Sequence, residues 1–161
     1  MPDSIVKATL KEVEPLAADE TVAVAAHKVI DNGLPGLPVI DGNGKFAGIF
    51  GEREFMTAMF PGYVGTLTSA RMISRSIDET IERRAECGRE AIEKYLTTDH
   101  VLVEDDYSDT QLAELFLHHR VLVIPIATDG RIHAVVTRND FFQVLVAKLE
   151  ASAETKRPDG V

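Results

Sequence analysis

Two stretches of this chain repeat one pattern at an interval of 86 to 87 residues, and a duplication of that kind leaves few folds open. In residues 121–142 an apolar run meets Pro125, a turn follows at Asp129-Gly130, and a second apolar run, Ile132 to Val136, closes on Thr137-Arg138-Asn139-Asp140. Phe141, Phe142, Leu145, Val146 and Leu149 then recur at helical spacing. The pattern predicts strand, hairpin turn, strand and helix. It places Thr137 as the N-cap and Asp140 in the first turn of that helix. Free backbone N–H groups and the positive end of the helix dipole then stand beside a hydroxyl and a carboxylate. A helix start of this kind can hold a phosphate.

The earlier copy runs Leu37-Pro38-Val39-Ile40, then the turn Asp41-Gly42-Asn43-Gly44, then Phe46-Ala47-Gly48-Ile49-Phe50 and Gly51-Glu52-Arg53-Glu54-Phe55. Pro38 aligns with Pro125 at an offset of 87 and Glu54 with Asp140 at an offset of 86, so the first turn is one residue longer. Upstream, Thr21 and Ser108 are again 87 apart, and each opens an amphipathic helix.

On these residues each half resembles a CBS motif, the cystathionine β-synthase domain, and the whole resembles a CBS pair, or Bateman module. The family pattern is a Pro at a strand entry, an Asp/Gly turn, then Gly-hydrophobic-hydrophobic-Thr-x-x-Asp. The resemblance covers roughly residues 8–60 and 96–150. It implies an α/β fold of two β-α-β-β-α-like repeats related by pseudo-two-fold symmetry. The expected domains are a first motif with an N-terminal arm (1–62), a helical linker (63–95), a second motif (96–150) and a flexible tail (151–161).

The resemblance further implies an adenosine-type ligand (AMP, ATP or S-adenosylmethionine) in a cleft between the two motifs. Thr137 would then meet a phosphate or the ribose, and Asp140 would accept hydrogen bonds from the ribose diol, a carboxylate offering only acceptors. Val101, Leu102, Val121, Leu122 and Val123 would enclose the purine, and Arg138 or Arg120 would balance the phosphate charge. The first repeat, with Leu34, Gly36, Gly51 and Glu54 at its site, departs from the pattern. Gly51 lacks the hydroxyl, Glu54 is one methylene longer than Asp, and Glu52 adds a negative charge. A carboxylate about 4 Å from phosphate opposes it by roughly 1 kcal/mol even in a water-like dielectric. This site is expected to be weak, vacant or adapted to another ligand.

Along the rest of the chain, residues 4–11 are expected to form a short helix or extended arm packing on the first repeat. Thr21 starts a helix whose buried stripe is Val22, Ala25, Ala26, Val29 and Ile30, with Gly33 stopping it. A second helix covers about residues 52–60. In residues 63–95, which have no counterpart in the duplication, Met72, Ile73, Ile77, Ile81, Ala85, Ile92 and Tyr95 fit one or two amphipathic helices. Residues 101–103 read as a strand, and Ser108 caps a helix with Leu112, Leu115 and Phe116 on its buried face. Phe55, Met59, Phe142 and Leu145 are the expected contacts of a homodimer, itself implied by the resemblance.

Composition narrows the function. The chain has 161 residues, of which 45% are hydrophobic and 27% charged, enough for a core without covalent staples. Its apolar runs are too short to span a bilayer, and no secretory signal is visible at the N-terminus, so the expected location is cytoplasmic. A net charge of −9 argues against a general nucleic-acid or anionic-membrane surface. Cys87 is the only cysteine, which excludes an internal disulfide and a multi-thiolate zinc site. His27, His100, His118, His119 and His133 are scattered and are assigned surface or pocket-edge roles. No P-loop, nucleophile elbow or paired catalytic carboxylates are evident, so no enzyme activity and no cofactor are expected. The function expected is a stand-alone regulatory protein that senses a nucleotide and acts on an enzyme or transporter. The alternative is a structural interaction module whose sites bind none.

Overall fold

The computed structural model describes residues 7, 9–60, 76–97, 101–104 and 107–155. The chain runs β1 (Lys11–Glu12), β2 (Leu16–Ala17), α1 (Val22–Asn32), β3 (Gly36–Ile40), β4 (Phe46–Gly51), α2 (Glu52–Met59), α3 (Ile77–Arg83), two 3₁₀ turns (Ala85–Arg89 and Ile92–Tyr95), β5 (Val103–Glu104), α4 (Asp109–His118), β6 (Val123–Thr128), β7 (Arg131–Thr137) and α5 (Arg138–Thr155). It divides into two compact units, Glu14–His100 and Met1–Val13 with Val101–Val161.

Each unit is built on one copy of the duplication. In Glu14–His100 the sheet order is β2-β3-β4, with β2 parallel to β3 and β3 antiparallel to β4. In the other unit β5 lies parallel to β6, and β6 antiparallel to β7. The correspondence extends to a fault in the ladder: both hairpins slip register at the same place, between Val39 and Ile40 and between Ile126 and Ala127. A bulge re-aims the residues beyond it, so its duplication keeps the two strand ends comparable.

Turn chemistry explains the one-residue difference in length. Between β6 and β7 only Asp129 and Gly130 intervene, at φ 52° and 77°, the two positive angles that a tight hairpin turn requires. Between β3 and β4 the longer loop is held by Asp41, whose Oδ1 accepts the N–H groups of Asn43 at 2.8 Å and Lys45 at 3.0 Å.

The helices start where capping chemistry predicts. Thr21 Oγ1 accepts the Val24 N–H at 3.3 Å, and Gly33 ends α1 in the left-handed region at φ 64°. Ser108 and Gln111 form a reciprocal capping box on α4. On α1, Val22, Ala25 and Val29 are buried and Ala26 half-buried, but Ile30, assigned to the same stripe, is 69% exposed. At 3.6 residues per turn Ile30 lies about 80° around the axis from Val22, at the stripe's edge. The core of the second unit joins Val103, Leu112, Ile124, Ile126, Ala134, Val136 and Phe141, with the Phe116 and Phe141 rings 5.5 Å apart.

Five expectations are corrected. The N-terminal arm, expected to pack on the first repeat, belongs where described to the unit of the second: β1 pairs antiparallel with β7, Lys11 opposite Val135, and completes the sheet β1-β7-β6-β5. Residues 77–95 form one short α-helix and two 3₁₀ turns, and Ile77 and Ile81 are exposed while Cys87 and Ile92 are buried. Met59 is not a surface contact but packs with Ala58 and Cys87. The strand expected at 101–103 is Val103–Glu104, and α5 extends to Thr155, into the stretch expected to be a flexible tail. The expectations for Met72, Ile73 and His100 fall outside the described residues.

The segment after α3 is pinned by a polar knot. The Arg84 guanidinium donates to the Ala58 carbonyl at 3.0 and 2.9 Å and to the Tyr95 hydroxyl at 3.0 Å, and Tyr95 donates to Glu90 Oε2 at 2.9 Å. Hydrogen bonds from Tyr95, then from Lys94, hold the Glu90 carboxyl below its ordinary range. Burial pushes the Cys87 thiol up.

Candidate functional site

β7 runs into α5 without a loop, and Thr137 sits at the junction, buried. Its Oγ1 accepts the Asp140 N–H at 3.1 Å, the capping bond that the Thr-x-x-Asp spacing predicts. The Arg138 N–H donates to the Leu122 carbonyl at 2.9 Å, which fixes the helix start against the chain entering β6. Arg138 itself points to solvent.

Asp140 stands in the first turn with its side chain 27% exposed, and Lys11 Nζ lies 3.2 Å from its Oδ2. The contact is an ion pair without hydrogen-bond geometry, because Oδ2 is buried and has no hydrogen-bond donor among the described residues. Sequence reasoning missed Lys11. It reaches Asp140 because β1 lies on β7 in a register that puts Lys11 opposite Val135.

The first repeat has the same skeleton and a different interior. The Glu52 N–H donates to the Pro35 carbonyl at 3.0 Å, matching the bond from Arg138 to Leu122. Gly51 gives α2 no side-chain cap. A Cβ there would stand 2.1 Å from the Pro35 carbonyl oxygen and 2.5 Å from Gly36 Cα, so no Thr fits this backbone. Leu34 and Gly36 are buried, and the approach of Gly36 to Gly51 fills the space that a side chain would take. Glu54 is buried and accepts a hydrogen bond from Thr97 Oγ1. Thr97 bridges Ile49 and so occupies the place that Lys11 occupies opposite Val135. Both pairs are 86 residues apart in sequence, Lys11 to Thr97 and Ile49 to Val135. That offset was the available signal, but a Lys aligned with a Thr makes no motif.

The expected purine-contacting residues are only partly brought together. Val101 and Leu102 line an open cavity of about 480 Å³ with Val103, Tyr107, Leu115 and His118, and with neither Thr137 nor Asp140. Val121 packs against the core, Leu122 is exposed, and Val123 is buried opposite Thr137 in the sheet. Arg120 is exposed. Among the described residues no group of three or more His, Cys, Asp and Glu side chains is placed to hold a metal ion. His133 lies 2.7 Å from the Thr128 hydroxyl, and His119 also borders the cavity.

Residues 6–61 match the family model of the CBS domain. Residues 6–61 are thus a CBS domain, and the chain as a whole has the fold of CBS-domain proteins. The chain is similar in fold to the CBS domain of a CBS-domain-containing membrane protein from Sphaerobacter thermophilus, at 23% identity and TM-score 0.66, over 87% of this chain and 86% of that one. It is similar to a putative acetoin utilization protein (AcuB) from Vibrio cholerae, at 18% identity and TM-score 0.63, over 95% and 97%. It is also similar to CBSX2 in complex with AMP, at 16% identity and TM-score 0.62, over 90% and 98%. No curated protein sequence matches. Because these likenesses cover both repeats, the CBS-domain fold extends beyond the matched residues. Among the described residues no helix is long and apolar enough to cross a membrane.

Proposed function

We propose that this CBS-domain protein is a regulatory ligand-binding protein, not an enzyme, which takes an adenosine-type nucleotide at its second repeat. The observation that carries the reading is Asp140 Oδ2, a buried acceptor without a hydrogen-bond donor among the described residues, beside a capped helix start. A ribose hydroxyl would supply that donor, and the helix dipole with Arg138 would favour a phosphate. The AMP carried by one protein of similar fold supports the same ligand class. AMP, ATP and S-adenosylmethionine are the candidates, and no cofactor is involved. Calorimetric titration tests the reading: one site per chain is expected, lost in Asp140→Ala.

The first repeat favours a second reading for itself alone. Its carboxylate is already bonded to Thr97 and its cap position is filled by Pro35 and Gly36, so it serves as a structural half. The active species in this proposal is a cytoplasmic homodimer that passes the ligand signal to a target enzyme or transporter. Phe142, Leu145 and Leu149 lie three and four residues apart on α5 and are 60%, 41% and 70% exposed, an apolar stripe suited to a two-fold contact. Sedimentation equilibrium should give twice the mass of one chain, and Phe142→Asp should shift it toward one.

A further inference from the structure

We propose that Lys11 makes the second-repeat site selective for an adenosine ligand that bears a phosphate, over a neutral or cationic one. The proposal deepens the nucleotide-binding reading above and rests on it. Lys11 lies on β1 opposite Val135, and its ammonium faces Asp140 at 3.2 Å without hydrogen-bonding it. The Lys11 side chain is 47% exposed, so it retains freedom to turn toward a ligand. The carboxylate keeps an unfilled acceptor, Oδ2, buried beside the Lys11 ammonium, so the same turn of Lys11 toward a ligand would uncover it. A ribose hydroxyl donating to Asp140 Oδ2 would bring the rest of the ligand beside a cation no longer needed to neutralise that carboxylate alone. A phosphate can accept a charge-assisted hydrogen bond from it; adenosine has no such group, and the sulfonium of S-adenosylmethionine repels it.

The duplication supplies an internal control. Strand pairing does not require a cation at this place, because Thr97 makes the equivalent bridge to Ile49 and satisfies Glu54 with a neutral hydroxyl. The first position of the following helix differs in the same sense, Glu52 on α2 against Arg138 on α5. The two positions flanking the carboxylate are therefore Lys and Arg in the second repeat and Thr and Glu in the first. In a chain of net charge −9, this difference makes the second site the one suited to an anion.

The experiment measures dissociation constants of adenosine, AMP and S-adenosylmethionine by calorimetry for the wild-type chain, Lys11→Met and Lys11→Arg, with thermal melts confirming that each is folded. The wild type should prefer AMP to both other ligands. Lys11→Met should weaken AMP by about tenfold, the order of one charge-assisted hydrogen bond, and adenosine by less than about threefold. Lys11→Arg should retain most of the AMP affinity. Equal losses for AMP and adenosine would make Lys11 a structural residue and overturn the proposal, as would AMP binding unchanged in Lys11→Met. A wild-type chain that binds none of the three overturns the nucleotide reading itself, and the role of Lys11 with it.

Discussion

Thr97 stands to Glu54 as Lys11 stands to Asp140: each bridges the strand that leads into the helix, and each meets the carboxylate of that helix's first turn. The two contacts differ in what they leave over. The hydroxyl of Thr97 hydrogen-bonds Glu54, whereas Lys11 leaves Asp140 Oδ2 without a hydrogen-bond donor among the described residues. One duplicated skeleton thus carries a closed carboxylate and an open one.

Replacing Thr97 should therefore cost more than replacing Lys11. Thr97→Val strands a buried carboxylate and should destabilise the fold by about 1–3 kcal/mol. Lys11→Met removes a part-exposed ion pair, worth at most about 1 kcal/mol. Chemical denaturation of the two variants gives both numbers, and a larger loss in Lys11→Met would reverse the assignment of closed and open sites.

Gly51→Thr rewrites the first repeat in the sequence of the second, but it should not create a second binding site. The new Cβ meets the Pro35 carbonyl oxygen at 2.1 Å, so the backbone has to move. Overpacking of this kind costs about 1–3 kcal/mol. A lower melting temperature with unchanged ligand stoichiometry is expected. A stable variant with two sites would show that Gly51 merely lacks a hydroxyl.

Both hairpins, the caps at Thr21, Ser108 and Thr137, and the duplication itself were legible because they are local: Pro, Asp-Gly and Thr-x-x-Asp act within a few residues. Lys11 and Thr97 were not. A two-residue strand has no alternation to read, and its partner strand is distant in sequence. Ile77 and Ile81 show the opposite failure. Their four-residue spacing is helical, and the helix forms, yet both are exposed, because periodicity reports which residues share a face and not whether that face is covered. Gly51 was recognised as a departure, but its cause, the close approach of Pro35 and Gly36, exists only in the folded sheet.

The knot of Arg84, Glu90 and Tyr95 should give stability an acid-sensitive component. The Glu90 carboxyl is held below its ordinary range by bonds that favour the charged form. Its contribution is therefore complete above the unfolded glutamate value, about 4.3, and is lost as pH falls through the lower folded value. Thermal melts from about pH 6 down to pH 3 should show Glu90→Gln losing less stability than the wild type over that window. Parallel curves would mean that Glu90 makes the same contribution in both protonation states.

The central claim is that one carboxylate, Asp140, is open to a nucleotide while its counterpart Glu54 is closed. Calorimetric titration of AMP into the wild-type chain, Asp140→Ala and Glu54→Gln tests it most directly. One site per chain is predicted for the wild type, none for Asp140→Ala at the same concentrations, and one of near-wild-type affinity for folded Glu54→Gln. An AMP site that survives in Asp140→Ala and disappears in folded Glu54→Gln would contradict it.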